Sequence, residues 1–259
     1  MINFKQHTDQ LGRLLTIIDK PQRIISLVPS QTEFLIAIGL KDRLVGITKY
    51  CIHPAELVND IPQIGGTKNP DTAKIKTLKP DLIIGNKEEN RKEDIDAVSK
   101  EFPVWLSDIA NLEDSYDMML KLGIICDCKI GSEQIVAQIK SKWDTITSSE
   151  IKEVLYFIWR KPYMLAGNDT FINSILQKIG FKNLIDQARY PDLDEVALKK
   201  LEPELVLLSS EPYPFKEKHL KEFEKLFPKA EIKIVDGEIF SWFGSRQIHC
   251  PNYIKDLKK

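Results

Sequence analysis

The protein has 259 residues, enough for one large domain or for two smaller lobes. Its 37 Lys and Arg residues are balanced by 38 Asp and Glu residues, which gives a net charge of −1. This balance offers no general attraction to nucleic acids or anionic lipids, so neither is a favoured partner, and we predict no nucleic-acid partner. The longest apolar runs fall far short of the roughly 18 residues of a membrane-spanning helix, and we expect no membrane insertion.

The N-terminal sequence and the cysteines both bear on the compartment. Residues 1–7 show no cationic start followed by an apolar stretch, so no secretory signal is visible. Four cysteines are too few for a disulfide framework and are typical of free thiols in a reducing compartment. We therefore expect a cytoplasmic protein; the alternative is a periplasmic protein whose leader has been removed.

Strands and helices alternate in the first half of the chain. The apolar run Arg23–Val28 predicts a buried strand, and Ser30 is the expected N-cap of the next helix, with Glu33 in the capping-box position. The further predicted elements are a strand at 43–48, a helix at 71–78, a strand at 81–85, a helix at 90–101 and a strand at 104–106. Such alternation is typical of parallel β-α-β units.

The second half repeats this alternation. Its predicted elements are a strand at 153–159, helices at 170–179 and 193–201, a strand at 204–209, a helix at 216–227, a strand at 232–235 and a terminal helix from Arg246. Two sequence echoes link the halves: residues 78–84 resemble 201–207, and residues 38–41 resemble 179–182. They indicate either a repeated structural unit or the glycine after a helix and the proline before a strand that recur in any α/β protein.

A long helix is predicted between the halves. Ser132 is its possible N-cap, and an apolar stripe follows at Ile135, Ile139, Trp143 and Ile146. No flexible linker is visible there, so we expect little lobe motion. The chain is accordingly divided into an N-terminal lobe (1–130), a linker helix (131–149) and a C-terminal lobe (150–259).

Motifs for catalysis or metal binding are missing. The sequence has no phosphate-binding glycine loop and no nucleophile elbow. Cys51 and His53 could join His249 and Cys250 as metal ligands, but loop packing explains these residues equally well. We predict no catalytic residue, no metal and no intrinsic cofactor.

Aromatic and cationic residues gather where the predicted strands end. Trp159, Tyr163, Tyr213 and Trp242 follow strands of the second half. Ligands of parallel α/β sheets bind beyond the carboxyl ends of the strands, and flat aromatic faces suit a large, partly apolar ligand. The arginines at 160 and 246 could bind its carboxylate, amide or phosphate groups. The alternative is that the aromatic residues belong to the core.

Together these residues resemble the substrate-binding proteins of ABC importers for cobalamin, haem and iron–siderophores. The resemblance runs from about Thr8 to Arg246, and within this family it is strongest to the cobalamin-receptor-like branch of helical-backbone metal receptors. The segments that carry it are Asp9–Arg13, Pro21–Glu33, Cys51–Pro54, Gly65–Lys68, Leu78–Leu82, Glu88–Arg91, Glu211–Phe215 and Trp242–Arg246.

The resemblance implies two Rossmann-like α/β lobes bridged by a single backbone α-helix, with a ligand cleft between the lobes. Acidic residues that would dock onto a permease are expected at Glu93 and Glu195, with Glu89 and Asp194 as alternatives. Combined with the strand-end argument, it gives the following expected ligand-binding residues: Pro29, Ser30, Tyr50, Cys51, Gly66, Lys68, Glu89, Asn90, Arg91, Trp159, Arg160, Tyr163, Tyr190, Glu211, Tyr213, Trp242 and Arg246.

Three functions are compatible with the sequence. The first is a non-enzymatic, monomeric binding protein for a corrinoid such as cobalamin, or for a related tetrapyrrole or iron chelate, serving an ABC importer. The second is a cytoplasmic enzyme or carrier that acts on such a ligand on the same scaffold. The third is an interaction protein without a small ligand, against which the aromatic strand ends argue.

Overall fold

The computed structural model describes residues 3–147 and 151–258. The chain divides into two compact units. Among the described residues, the first unit comprises 3–109, 113–141 and 243–248, and the second comprises 110–112, 142–147, 151–242 and 249–258. The end of the predicted linker at residue 149 lies outside the described residues, and the three-part division stays a prediction.

The first unit is built on a four-stranded parallel sheet. Its strand order is β4-β3-β7-β8, which places β3 and β7 at the centre, where all their side chains are buried. The strands are β3 (Ile24–Ser26), β4 (Leu44–Ile47), β7 (Leu82–Asn86) and β8 (Val104–Ser107). Continuous apolar runs form these strands because helices cover both faces of a parallel sheet.

Six helices and two antiparallel pairs complete the elements that begin before residue 130. The helices are α1 (Pro29–Ala37), α2 (Ala55–Val58), α3 (Thr72–Leu78), α4 (Lys92–Ser99), α5 (Leu112–Ile125) and α6 (Lys129–Trp143). The pairs are β1 (Phe4–Thr8) with β2 (Leu14–Ile18), and β5 (Gly65–Gly66) with β6 (Asn69–Pro70). Neither pair was predicted, because β1 is largely exposed and β5 and β6 have two residues each.

Two predicted helix caps are wrong. Helix α1 begins at Pro29 with Val28 as N-cap, and Ser30 is a buried residue of its first turn. Helix α6 begins at Lys129, three residues before Ser132, whose hydroxyl donates to the Lys129 carbonyl oxygen at 2.8 Å. The predicted apolar stripe is nevertheless present, since Ile139 and Trp143 are almost fully buried.

The second unit is a six-stranded mixed sheet. Its order is β12-β10-β9-β13-β14, and β11 also pairs with β9. The parallel strands are β9 (Lys152–Trp159), β11 (Phe181–Asn183), β13 (Leu205–Ser209) and β14 (Glu231–Val235); β10 (Tyr163–Leu165) and β12 (Asp192–Leu193) run antiparallel to their neighbours. The predicted α/β class with parallel sheets is therefore confirmed in each unit.

The helices of the second unit pack on an aromatic core. They are α7 (Phe171–Lys178), α8 (Glu195–Leu198), α9 (Leu220–Leu226), α10 (Gly237–Ser241) and α11 (Cys250–Leu257). The rings of Phe157 and Phe223 meet edge to face with centroids 4.9 Å apart. Two predicted helices differ from the structure. The segment predicted as a helix at 193–201 contains the end of β12 and the short helix α8, and the predicted terminal helix from Arg246 is divided into a 3₁₀ turn at 245–248 and α11.

Candidate functional site

The carboxyl ends of the first sheet rest on a network of buried polar side chains. The Ser107 hydroxyl oxygen accepts hydrogen bonds from the Gln31 amide at 2.7 Å and from the Asn86 amide at 2.9 Å. The Asn90 side chain joins this network, accepting from the Asn86 backbone N–H at 2.9 Å and donating to the Thr67 carbonyl at 3.0 Å. The Asn90 amide thus links the end of β7 to the backbone at Thr67, and its predicted role in ligand binding stays a prediction.

Cys51 is fixed next to this network. Its thiol lies 3.1 Å from the Thr32 hydroxyl and 3.2 Å from the Thr48 hydroxyl. Burial raises the pKa of Cys51, and the hydrogen bonds to these threonines oppose the rise only in part. Among residues 3–147 and 151–258, no group of three or more His, Cys, Asp or Glu side chains could hold a metal ion.

Tyr50, Gly66 and Lys68 lie on the same side of the first unit. The Tyr50 side chain is 52% exposed, and the Lys49 ammonium lies 5.1 Å from its ring centroid. A Cβ atom at Gly66 would meet the Tyr50 ring at 3.3 Å and would clash with the Asn69 side chain. The Lys68 ammonium donates to the Glu88 carbonyl oxygen. The exposed Tyr50 phenol therefore lies against closely packed backbone at Gly66.

The loop after β7 carries further predicted residues. The Asn86 side-chain oxygen accepts the backbone N–H groups of Glu88 and Glu89 at 2.8 and 3.0 Å, which fixes the turn. Arg91 precedes α4 and donates to Asp94 at 2.8 Å. Glu93, the predicted docking residue, is exposed in the first turn of α4.

An aromatic pair stands at the carboxyl end of β9, a central strand of the second sheet. The Trp159 side chain is 38% exposed, and its ring meets Tyr213 edge to face with centroids 5.5 Å apart. The Tyr213 hydroxyl lies 3.3 Å from His219 Nε2, and His219 Nδ1 accepts the Lys216 N–H at 2.9 Å. The structure thus brings Trp159 and Tyr213 together, and His219 holds the Tyr213 hydroxyl in place.

Arg160 forms an ion pair within the second unit. Its Nε and Nη2 atoms donate to Glu222 Oε2 at 2.8 and 2.6 Å. The Tyr163 hydroxyl donates to the other carboxylate oxygen at 2.7 Å. Burial acts to raise the pKa of Glu222, but the hydrogen bonds from Arg160 and Tyr163 outweigh burial and hold the pKa below its ordinary value. As ligand-binding groups, Arg160 and Tyr163 would first have to leave this carboxylate.

Trp242 and Glu211 interact at the same edge of the second sheet. The indole Nε1 donates to Glu211 Oε1 at 2.9 Å, and the Ser241 hydroxyl donates to the same oxygen at 2.8 Å. Burial raises the pKa of Glu211, against the lowering effect of these hydrogen bonds. The Trp242 side chain is only 8% exposed, which favours the core alternative for this residue.

Arg246 belongs to the first unit, whereas Trp242 belongs to the second. The guanidinium of Arg246 makes two hydrogen bonds of 2.9 Å to the two carboxylate oxygens of Glu33. The side chains of this pair are 13% and 15% exposed. Glu33 is not a capping-box residue, because α1 begins at Pro29 with Val28 as N-cap; its carboxylate is bound by an arginine 213 positions away in the sequence.

The remaining predicted residues lie near β12. Tyr190 is half-buried two residues before this strand. Asp194 caps α8 by accepting the Ala197 N–H at 2.8 Å, and Glu195 lies 3.3 Å from the Lys199 ammonium. Within the residues described, no helix combines the length and the apolar character needed to span a membrane.

Comparison with known proteins gives a consistent family assignment. Residues 24–229 match the model of a family described as "Periplasmic binding protein". An uncharacterised ABC transporter substrate-binding lipoprotein, YvrC of Bacillus subtilis (strain 168), is 29% identical over 213 residues, which cover 77% of this chain and 67% of that protein. The vitamin B12-binding protein of Yersinia pestis (strain Pestoides F) is 23% identical over 195 residues, covering 73% and 69%.

Solved structures share the fold. The periplasmic heme-binding protein of Pseudomonas aeruginosa superposes with a TM-score of 0.78 at 21% identity, over 92% of each chain. The family and the similar lipoprotein show that the expected cytoplasmic location is wrong, because both point to a location outside the cytoplasm. Since the family match spans most of the sequence, the chain belongs to the periplasmic binding protein family.

Proposed function

We propose that this protein is the extracytoplasmic binding component of an ABC importer and that it binds a corrinoid or a related tetrapyrrole or iron chelate. The family and the similar lipoprotein support the importer role. The vitamin B12-binding and heme-binding relatives support a planar metal chelate as the ligand class. We further propose that the protein acts without catalysis and as a monomer, since family members are binding proteins.

One observation carries the ligand class: exposed Trp159, at the carboxyl end of β9, pairs with half-buried Tyr213. Large aromatic side chains are mostly buried in folded proteins. Trp159 is 38% exposed, so part of its ring surface is accessible to a ligand. Flat macrocycles offer the complementary surface, and contact with such a ring is favourable. Tyr50 supplies an exposed phenol on the first unit.

The exposed carboxylates suit a second role, docking onto a permease. Glu93 and Glu195 each lie in the first turn of a helix and are exposed. Carboxylates in such positions can pair with arginines of a partner through charge-assisted hydrogen bonds. We expect Glu93→Ala and Glu195→Ala to lower ligand-stimulated ATP hydrolysis by the cognate importer in vesicles while ligand affinity stays unchanged.

The ligand class is tested by titrating the purified protein with cyanocobalamin, haemin and a ferric catecholate. We expect at least one of these probes to bind with a Kd of about 1 μM or tighter, equivalent to about 8 kcal/mol. Trp159→Ala should weaken that binding, whereas Ile151→Ala, which removes another exposed apolar side chain before β9, should not. Failure of all three probes to bind would refute the proposal.

A further inference from the structure

A histidine lies behind the Tyr213 phenol in the second unit. His219 ends the 3₁₀ turn Glu217–His219, which leads into α9, and it is only 5% exposed. On one side its Nε2 atom lies 3.3 Å from the Tyr213 hydroxyl, and on the other its Nδ1 atom accepts the Lys216 backbone N–H at 2.9 Å. The imidazole ring thus connects the loop after β13 to the turn before α9.

The hydrogen bond from Lys216 decides which ring nitrogen of His219 carries the hydrogen. A nitrogen that accepts a backbone N–H offers its lone pair and carries no hydrogen of its own. The imidazole is therefore neutral, and its single hydrogen is on Nε2, directed at the Tyr213 oxygen. Protonation would add a hydrogen to Nδ1, which faces the Lys216 N–H at 2.9 Å. Two donors cannot form a hydrogen bond with each other, so the charged ring has to leave this position.

The charged groups that face His219 also bear on its protonation. Burial lowers the pKa of His219, and the cations of Lys218 and Arg160 lower it further, while the Glu222 carboxylate acts in the opposite direction. Glu222 is bound by Arg160 at 2.8 and 2.6 Å, so its charge is balanced within that ion pair. These groups come from the turn itself, from the residue after β9 and from α9. The surrounding protein therefore favours the neutral ring.

Tyr213 passes the support of His219 on to the exposed indole. Its ring meets Trp159 edge to face with centroids 5.5 Å apart. Phe215 packs on the same phenol at 4.8 Å and on the imidazole at 5.7 Å. All four side chains belong to the second unit. A movement of the imidazole therefore removes a contact from the phenol, and the phenol is the aromatic partner of Trp159.

We propose that His219 is a positioning residue for ligand binding: its neutral imidazole holds the Tyr213 phenol beside Trp159, and protonation of the imidazole releases the phenol and weakens binding. This inference rests on the proposed function, in which Trp159 and Tyr213 contact the ligand. His219 itself makes no contact with the ligand. A residue of this kind makes the affinity depend on pH even for a ligand whose own charge is constant.

The pH dependence is measured by calorimetric titration with cyanocobalamin, whose carboxamides do not ionise near neutral pH. The ordinary pKa of histidine is 6.5, and that of His219 is lower, so the Kd should be constant above this pH. Below the pKa of His219 the Kd should rise by up to about tenfold for each pH unit, because only the neutral fraction is competent to bind. Imidazole nitrogen NMR spectra of the free protein report that pKa independently and should show hydrogen on Nε2 at neutral pH.

Two substitutions distinguish positioning from simple packing. His219→Gln keeps an N–H donor near the place of Nε2 but cannot be protonated, so it should bind within about threefold of wild type at neutral pH and lose the pH dependence. His219→Phe keeps a ring without the donor and should raise the Kd by about 2- to 10-fold at every pH. His7→Gln, which removes a half-buried histidine from β1 in the first unit, is the matched control and should change neither property. Thermal melting shows whether each variant is folded.

Three results would overturn the inference. They are a constant Kd while NMR shows His219 becoming protonated, a pH dependence that survives in His219→Gln, and a His219 that stays neutral until the protein unfolds. If His219→Phe does not fold, wild type and His219→Gln still decide. If haemin or the ferric catecholate binds instead of cyanocobalamin, the same comparison of wild type with His219→Gln is made with that probe.

The failure of this inference is distinct from that of the proposed function. If a probe binds without the expected pH dependence, the positioning role is refuted and the binding function stands. If no probe binds, the function is refuted, and the positioning role is decided in the free protein. Nuclear Overhauser contacts between the rings of Trp159 and Tyr213 should then disappear as His219 is protonated and should persist in His219→Gln; contacts that persist in wild type at every pH refute it.

Discussion

Replacing Trp242 and Trp159 separately by alanine is expected to distinguish a residue that stabilises the fold from one that binds the ligand. Trp242 is 8% exposed and donates its indole N–H to Glu211 at 2.9 Å. Trp159 is 38% exposed and contacts Tyr213 through one edge of its ring. Trp159 ends β9 and Trp242 follows α10, so the two differ in burial and in the hydrogen bond that only Trp242 is shown to make to Glu211.

The expected magnitudes follow from that difference. Removing a buried tryptophan side chain lowers the free energy of unfolding by about 3–5 kcal/mol, so Trp242→Ala should be strongly destabilised. Trp159→Ala gives up one aromatic contact, worth about 0.5–1.5 kcal/mol. If the exposed face of Trp159 contacts the ligand, a loss of similar size should raise the Kd by about 2- to 10-fold.

Urea denaturation and calorimetric titration with cyanocobalamin measure the two effects on the same samples. Trp242→Phe is the control, since it keeps much of the ring and should lose only about 1 kcal/mol with the hydrogen bond. If Trp242→Ala unfolds like wild type yet binds weakly, Trp242 is a ligand residue. If Trp159→Ala binds like wild type, the aromatic pair is not part of the binding surface.

Three further predictions concern titratable groups. Because the pKa of Glu222 is held below its ordinary value of 4.5, its stabilising effect is present above pH 4.5, and the unfolding free energies of wild type and Glu222→Gln should converge as the pH falls below that value. Arg246→Met should lower the free energy of unfolding by about 3 kcal/mol, because it leaves the Glu33 carboxylate without its arginine. In urea denaturation, the double variant Glu33→Leu/Arg246→Met should recover part of this loss, and losses that simply add would contradict the pairing. Alkylation of the native protein at neutral pH, followed by mass spectrometry, should modify half-buried Cys128 well before Cys126, whose pKa burial raises to about 12, and equal rates would contradict this order.

The main strands could be predicted because burial on both faces leaves a plain sequence signature. The runs around Ile24, Leu82 and Leu205 are continuously apolar, and each forms a strand within one or two residues of the predicted bounds. The β1–β2 pair carries no such signature, since Phe4 and Leu14 are exposed and only Ile17 among its ten residues is buried. Patterns of hydrophobicity therefore find most of the parallel strands, including the edge strands β4, β8 and β14, and miss strands that are exposed or only two residues long.

The candidate site was only partly predictable, because strand ends can be located from sequence but the partners of their side chains cannot. Trp159 and Tyr213 were expected at one edge, and the structure brings them into contact. The Arg246–Glu33 pair joins residues more than 200 positions apart, so no local spacing reveals it. Asn90 was predicted to bind ligand because it is polar and follows a strand, and its hydrogen bonds to two backbone segments could not be read from the sequence.

The sequence echo between residues 38–41 and 179–182 reflects a shared conformation. In the segments 38–41 and 179–182, Gly39 and Gly180 follow α1 and α7 with φ angles of 85° and 83°, a region that side chains disfavour. Each glycine N–H donates to a carbonyl of the last helical turn, on Ile36 and Gln177 respectively. The same residue recurs because both helices stop by the same left-handed turn.

In the other echo, between residues 78–84 and 201–207, an acidic residue binds the backbone at the start of a strand in each unit. Asp81, after Pro80, accepts the backbone N–H groups of Gln22 and Arg23 at 2.8 and 2.9 Å, just before β3. Glu204, after Pro203, accepts the N–H of Glu153 at 2.8 Å within β9. In both units an acidic residue entering one parallel strand therefore satisfies backbone donors at the start of its neighbour. If the halves shared only helix-ending glycines and strand-preceding prolines, this contact would not recur. The carboxylate that binds backbone N–H groups in both units therefore favours a repeated structural unit.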